Sequence, residues 1–165
     1  MEVSTQDALV LIKDRKRFIE SNPVFPALGK RNVLKARSAS LRTEYLMDIR
    51  RSLYTLNKIT FQERVYSTVG LIRLDLDTKP HSNPDHTVIA GAHLHIYQEG
   101  YRLAWAYPLD DPYVKSLNPF VSLAEVLACK DPYDRFRLFT EYCYFTNFPN
   151  FKNDDYQEGV SLFDR

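Results

Sequence analysis

Four histidines are the whole histidine content of the chain, and all four fall between residues 81 and 95, as His81, His86, His93 and His95. The last two form His-x-His inside a segment that alternates as a strand does, with Ala92, Leu94 and Ile96 on one face and His93, His95 and Tyr97 on the other. Same-face neighbours on a strand stand about 7 Å apart, so two imidazoles point the same way. Such a pair can hold a metal ion, pass a proton as acid and base, or bind an anion when protonated.

The segment S-T-V-G-L-I-R-L-D-L-D supplies the other candidates. Ile72, Leu74 and Leu76 match the apolar face of the histidine strand, which leaves Arg73, Asp75 and Asp77 on the polar side. If the two strands pair across the loop at 78–87, Asp75 orients an imidazole and fixes its tautomer, while Arg73 neutralises a phosphate or carboxylate. Upstream, Asp48 and Arg50, then Lys58, Gln62 and Arg64, extend a polar surface over further strands.

Two chemistries fit these residues. A divalent ion, zinc or another, needs three or four ligands, which His93 and His95 supply with Asp75, His81, His86 or Asp85. The other chemistry requires no cofactor: His93 and His95 act as acid and base on a phosphodiester, Asp75 orients them, and Arg73 or Lys58 stabilises developing charge. RNA carries its own 2′-OH nucleophile, which suits a chain without G-x-S-x-G, a Cys-His signature or a P-loop. Tyr97, Tyr101, Trp105 and Tyr107 are candidates for base stacking, or for the core.

Positioning these groups falls to a sheet. Period-two patterning gives strands near 32–39, 42–50, 53–62, 67–77, 88–98 and 101–107, joined by short connections that favour an antiparallel meander. Ser4 or Thr5 caps a helix running to about Ser21, where Asn22-Pro23 stops it, and further helices are expected at about 122–129 and 133–144. The expected fold is α+β: an antiparallel sheet of five to six strands, one N-terminal helix and two C-terminal helices. Residues 1–149 form one domain, and 150–165 form a polar tail whose Val160, Leu162 and Phe163 dock on the domain or a partner.

The 165 residues, 44% hydrophobic with 11 Tyr and 10 Phe, fit one domain with an aromatic core. Cys129 and Cys143 lack metal or disulfide spacing. No apolar run spans a bilayer and no signal peptide is legible, which indicates a cytoplasmic protein without a membrane partner. The net charge of +1 hides an asymmetry: residues 11–51 hold 11 Lys/Arg against 4 Asp/Glu, and residues 110–165 hold 6 against 10. A basic region of this kind attracts phosphate backbones or acidic partners, although Lys13, Arg15, Lys16 and Arg17 also read as the solvated face of a helix.

The stretches I-R-L-D-L-D-T-K-P-H-S-N-P-D, A-H-L-H-I-Y-Q-E-G-Y and W-A-Y-P-L resemble an uncharacterised family of small bacterial and phage-borne proteins. Its pattern joins a P-H-x-N-P-D-G loop to H-L-H-I-Y-x-E-G-Y. The resemblance picks out Asp48, Lys58, Gln62, Arg64, Arg73, Asp75, His81, Asn83, His93, His95, Tyr97 and Glu99. His86 stands where the pattern has glycine. It implies a protein of mobile genomes: a toxin, an antitoxin or an inhibitor of host defence. The expected function is a toxin-type ribonuclease, with His93, His95, Asp75 and Arg73 catalytic and Lys58, Arg64, Tyr97, His81 and Asn83 contacting RNA. Its partners are RNA and a cognate antitoxin or host effector. The alternative is a non-catalytic inhibitor of a nucleic-acid-handling protein such as a CRISPR effector, with His93, His95, His81 and Asp75 holding a structural metal.

Overall fold

The computed structural model describes residues 2–40, 42–55 and 57–152. Helix α1 (Thr5–Lys13) starts where the side chain of Ser4 accepts a hydrogen bond from the Asp7 amide, and it buries Ala8, Leu11 and Ile12. It ends near residue 13, not near 21 as the apolar spacing suggests. Lys16 turns inward and donates to the carbonyls of Leu11 and Ile12 at 3.3 and 2.8 Å, closing the helix C-terminus. Residues beyond it join the sheet as β1 (Arg17–Phe18), and Ile19, which extends the helical stripe on paper, is exposed.

The sheet continues through β2 (Arg31–Arg37), β3 (Glu44–Arg51), β4 (Ile59–Val65) and β5 (Val69–Leu76). A short hairpin of β6 (His81–Ser82) and β7 (Val88–Ile89) follows, then β8 (His93–Ile96) and β9 (Ala106–Pro108). Seven strands pair antiparallel in the order β1-β2-β3-β4-β5-β8-β9, and β6-β7 stands apart. The antiparallel α+β architecture is as expected, with more strands than the five to six foreseen. The 88–98 segment breaks in two because Gly91, at φ 75°, interrupts it.

One face of the sheet is the core. Leu34, Tyr45, Met47, Ile49, Phe61, Ile72, Leu74 and Leu94 are buried there, alternating with polar residues on the opposite face. The C-terminal elements cover it. Asp111 caps α2 (Pro112–Leu117) and Asp131 caps α3 (Pro132–Tyr142), each accepting from a tyrosine amide at 2.8 Å with proline in the first turn. The same Asp-Pro-Tyr signal opens both, although only the second was expected to begin a helix. Between them the helix expected near 122–129 is present as a 3₁₀ helix, Leu123–Ala128.

Phe136 sits among Phe18, Phe25, Phe61, Phe148 and Phe151 at ring separations of 5.1–6.1 Å, so the aromatic richness of the chain is largely core. Phe151 carries the start of the expected tail onto the domain, and the Lys152 amide donates to Pro23. Val160, Leu162 and Phe163 lie outside the described residues. Among the described residues no helix is long and apolar enough to cross a membrane.

Candidate active site

Pairing of β5 with β8 places Asp75 opposite His93 and Arg73 opposite His95. Because Ile72, Leu74, Leu94 and Ile96 face the core, all four polar side chains emerge on the other side of the sheet, as alternation predicts. His93 and His95 are each only 1% exposed. Their rings meet edge to face at 4.9 Å, and His81 closes on them at 5.7 and 4.6 Å.

Backbone carbonyls fix the rings. His93 Nδ1 lies 2.8 Å from the Gly91 carbonyl and His95 Nδ1 lies 2.7 Å from that of Leu103. A carbonyl only accepts, so each Nδ1 carries a proton and each Nε2 is turned inward. Both Nε2 atoms converge on one oxygen: Asp75 Oδ2 is 3.4 Å from His93 and 3.2 Å from His95. The segment bearing Leu103 reaches this position by crossing Gly70, where a Cβ would come within 2.6 Å of the Leu103 side chain.

Burial pushes the Asp75 carboxyl up, but His93, His95 and Arg73 outweigh it and hold it well below the usual carboxylate range. Burial lowers His95, and Arg73 adds to that while Asp75 opposes it. The site therefore presents an ionised carboxylate and a neutral imidazole at His95. Arg73 Nε and a terminal nitrogen donate to the two Asp75 oxygens at 3.0 and 3.3 Å, and that terminal nitrogen lies 3.0 Å from His95 Nε2. Asp75, His93 and His95 offer ligand atoms that all lie within 4.8 Å of one another.

The centre opens onto a groove of about 690 Å³ across the polar face, lined by Asp75, His93, His81 and Arg73 at one end and by Lys58, Arg50 and Arg31 farther along. Lys79 and Thr78 border it, and the Thr78 hydroxyl is buried with no partner among the described residues. Lys58 and Arg64 both line the groove, but Arg64 is clasped by the two Asp48 oxygens at 2.6 and 2.7 Å.

The other sequence-derived residues take different places. His81 Nε2 donates to the Ala104 carbonyl at 2.7 Å, and its ring lines the groove. Asn83 is buried, its amide pairing with both backbone groups of Ala106 at 2.8 and 3.0 Å, so it pins the loop to β9. The Tyr97 hydroxyl donates to the Val3 carbonyl at 2.6 Å and accepts from the Val3 amide, which ties it to the N-terminal segment away from the groove. Asp77 follows β5 at φ 54° and is exposed, while Asp85 and His86 lie on the exposed tip of the loop. Arg31, Thr78 and Lys79 were not expected at the site. Period-two alternation would have found Arg31 had its strand been begun one residue earlier.

The chain belongs to a family of unknown function, DUF6978, whose profile matches residues 3–144 and so takes in the whole centre and groove. No curated protein and no solved structure matches the chain.

Proposed function

We propose that the protein is a ribonuclease that binds RNA in the basic groove and cleaves it at a divalent metal ion held by Asp75, His93 and His95. The observation that carries this reading is a convergence of ligand atoms. Two imidazole nitrogens and a carboxylate oxygen lie within 4.8 Å of one another, and the Nδ1 proton of each ring goes to a backbone carbonyl, of Gly91 or of Leu103. Nδ1 bonded to a backbone carbonyl with Nε2 turned to the site is the way metal-bound histidines are usually oriented. Three protein ligands, of which Asp75 and His93 line an open groove, suit a catalytic ion, whereas structural zinc sites are closed by four. A divalent ion bound there supplies Lewis-acid stabilisation of charge on the scissile phosphate.

The chain's own residues do the remainder. Arg73, with a side chain 32% exposed, reaches from the centre into the groove and can follow a phosphate. His81, whose Nε2 proton is held by Ala104, keeps its lone pair on Nδ1 and accepts the 2′-OH proton. The 2′-oxygen bonds to phosphorus, the P–O5′ bond breaks and solvent protonates the leaving 5′-oxygen. The products are a 2′,3′-cyclic phosphate and a 5′-hydroxyl. His93 and His95, buried and turned towards Asp75, hold the ion in this reading and do not shuttle protons.

One observation favours a metal-free version. Arg73 already contacts both Asp75 oxygens and His95 Nε2, as a cation would. Arg73→Ala separates the two. If Arg73 competes with an ion, the variant binds zinc or manganese more tightly by calorimetry while cleaving RNA more slowly. The unaltered protein should lose cleavage in chelator and recover it on adding metal, and Asp75→Asn should lose both binding and cleavage. Cleavage that survives chelation would establish the metal-free version. Intact RNA under all metal and pH conditions would overturn the ribonuclease and point to the inhibitor of a nucleic-acid-handling protein.

A further inference from the structure

The cations of the groove form a row that the reacting centre alone does not require. Rung by rung across the sheet, His93 stands opposite Asp75, Asp75 opposite Thr60, Thr60 opposite Arg50, and Arg50 opposite Arg31. Arg31 and Arg50 are therefore a directly opposed pair of like charges, both exposed, with Lys58 two residues before Thr60 lining the same groove. Like charges facing each other across two strands destabilise a sheet.

Elsewhere the fold relieves that conflict. Arg37, opposite Arg17, is paired with Glu44 at 3.1 Å, and Arg64 is paired with Asp48. Arg31, Arg50 and Lys58 have no carboxylate partner among the described residues. Their arrangement asks for an anion from outside. Strand spacing puts Arg50 about 10 Å and Arg31 about 14 Å from Asp75 along the row, roughly one and two nucleotides along an extended backbone. On the other side of the centre the rung continues from His93 to Pro108, which offers no charge.

We infer that the groove takes a single strand of RNA laid across β5, β4, β3 and β2, with the scissile phosphate at Asp75 and the next phosphates on one side only held by Arg50 and Arg31. This rests on the ribonuclease reading. A duplex carries its backbones on a stiff cylinder that rides over the groove's rims, whereas an unpaired strand bends down to a floor where His93 is buried.

The test is anisotropy of a 2′-O-methylated single-stranded oligonucleotide, which cannot be cleaved, over a range of salt. Each lost phosphate contact lowers the slope of log affinity against log salt by about 0.7. Arg31→Ala/Arg50→Ala should therefore lower it by about 1.4, while Lys13→Ala/Arg15→Ala, exposed residues that do not line the groove, should leave it unchanged. Arg50→Ala alone should melt no lower than the unaltered protein, because it removes a repulsion; a lower melting temperature would mark these arginines as structural and overturn the inference. An unmoved slope in the double variant, or a duplex bound as tightly as the single strand, would also overturn it. Cleavage of ordinary RNA by the unaltered protein is read separately. A lowered slope without any cleavage removes the reaction and keeps the strand path, and cleavage with an unmoved slope does the reverse.

Discussion

Glu63 lies on the core face of β4 with its side chain fully buried, and its one ion pair among the described residues is with Lys16, equally buried, with Nζ 2.8 Å from Oε2. Its other oxygen has no hydrogen-bond partner among the described residues. Burial pushes the Glu63 carboxyl from its ordinary 4.5 up to about 7, against the opposing pull of Lys16. The pair is thus less favourable ionised than its short distance suggests, as expected where desolvation exceeds the Coulomb gain.

The consequence for stability has a definite sign. Below about pH 4.5 Glu63 is protonated both folded and unfolded. Between there and about pH 7 the folded chain keeps a proton that the unfolded chain releases, so stability falls by about 1.4 kcal/mol per pH unit. Above pH 7 the loss levels off at about 3 kcal/mol. Glu63→Gln keeps the volume and removes the charge. Urea midpoints of the two proteins should be similar near pH 5 and should diverge above it, with the variant ahead at pH 8 by about 3 kcal/mol, or roughly 1–2 M urea. Taking the difference between the proteins cancels every other titrating group. Lys16→Met gives the complement: with the opposing pull of Lys16 gone, Glu63 keeps its proton to higher pH, so stability goes on falling above pH 7 where the unaltered protein has levelled off. A gap that stays constant from pH 5 to 8, or an unaltered protein that gains on Glu63→Gln as pH rises, would refute the reasoning.

Two further outcomes concern the loop that carries His81. His86 holds φ at 71° on the exposed tip, so His86→Gly should raise stability by up to about 1 kcal/mol, as the relief of left-handed strain exceeds the added freedom of the unfolded chain; thermal melting checks this. Asn83→Ala strips both backbone groups of Ala106 of their partner, which should cost about 1–3 kcal/mol and raise amide exchange across 80–90 and β9.

The polar cluster was legible because alternation in two strands determines which residues share a face, whatever the order of the remaining strands. Arg73, Asp75, His93 and His95 follow from that rule alone. Tyr97 obeys the same alternation but lies beyond the last paired residue, Ile96, so its direction is set by Val3, some ninety positions away, and no local pattern records that. The turn between β4 and β5 was blurred for a related reason. Tyr66 and Ser67 take φ of 53° and 63° without the glycine or asparagine that usually announces such a turn.

The N-terminal charges show most clearly how tertiary burial reverses a local reading. Lys16 belongs to a run, K-D-R-K-R, that reads as solvated helix, and Glu63 belongs to Q-E-R, which reads as polar strand. Each taken alone is a surface residue. Only the meander, by bringing the end of α1 over β4, makes them a buried pair, because the helix stops at Lys13 and its last turn leaves the Ile12 carbonyl needing a donor that Lys16 can supply from below. Once Lys16 is drawn in to cap the helix, its charge must be met within the core, and Glu63 on the facing strand is the group placed to meet it. The basic N-terminal third therefore divides in two: Lys16 is spent inside the fold, while Arg31 and Arg50 are the part of it that reaches the groove.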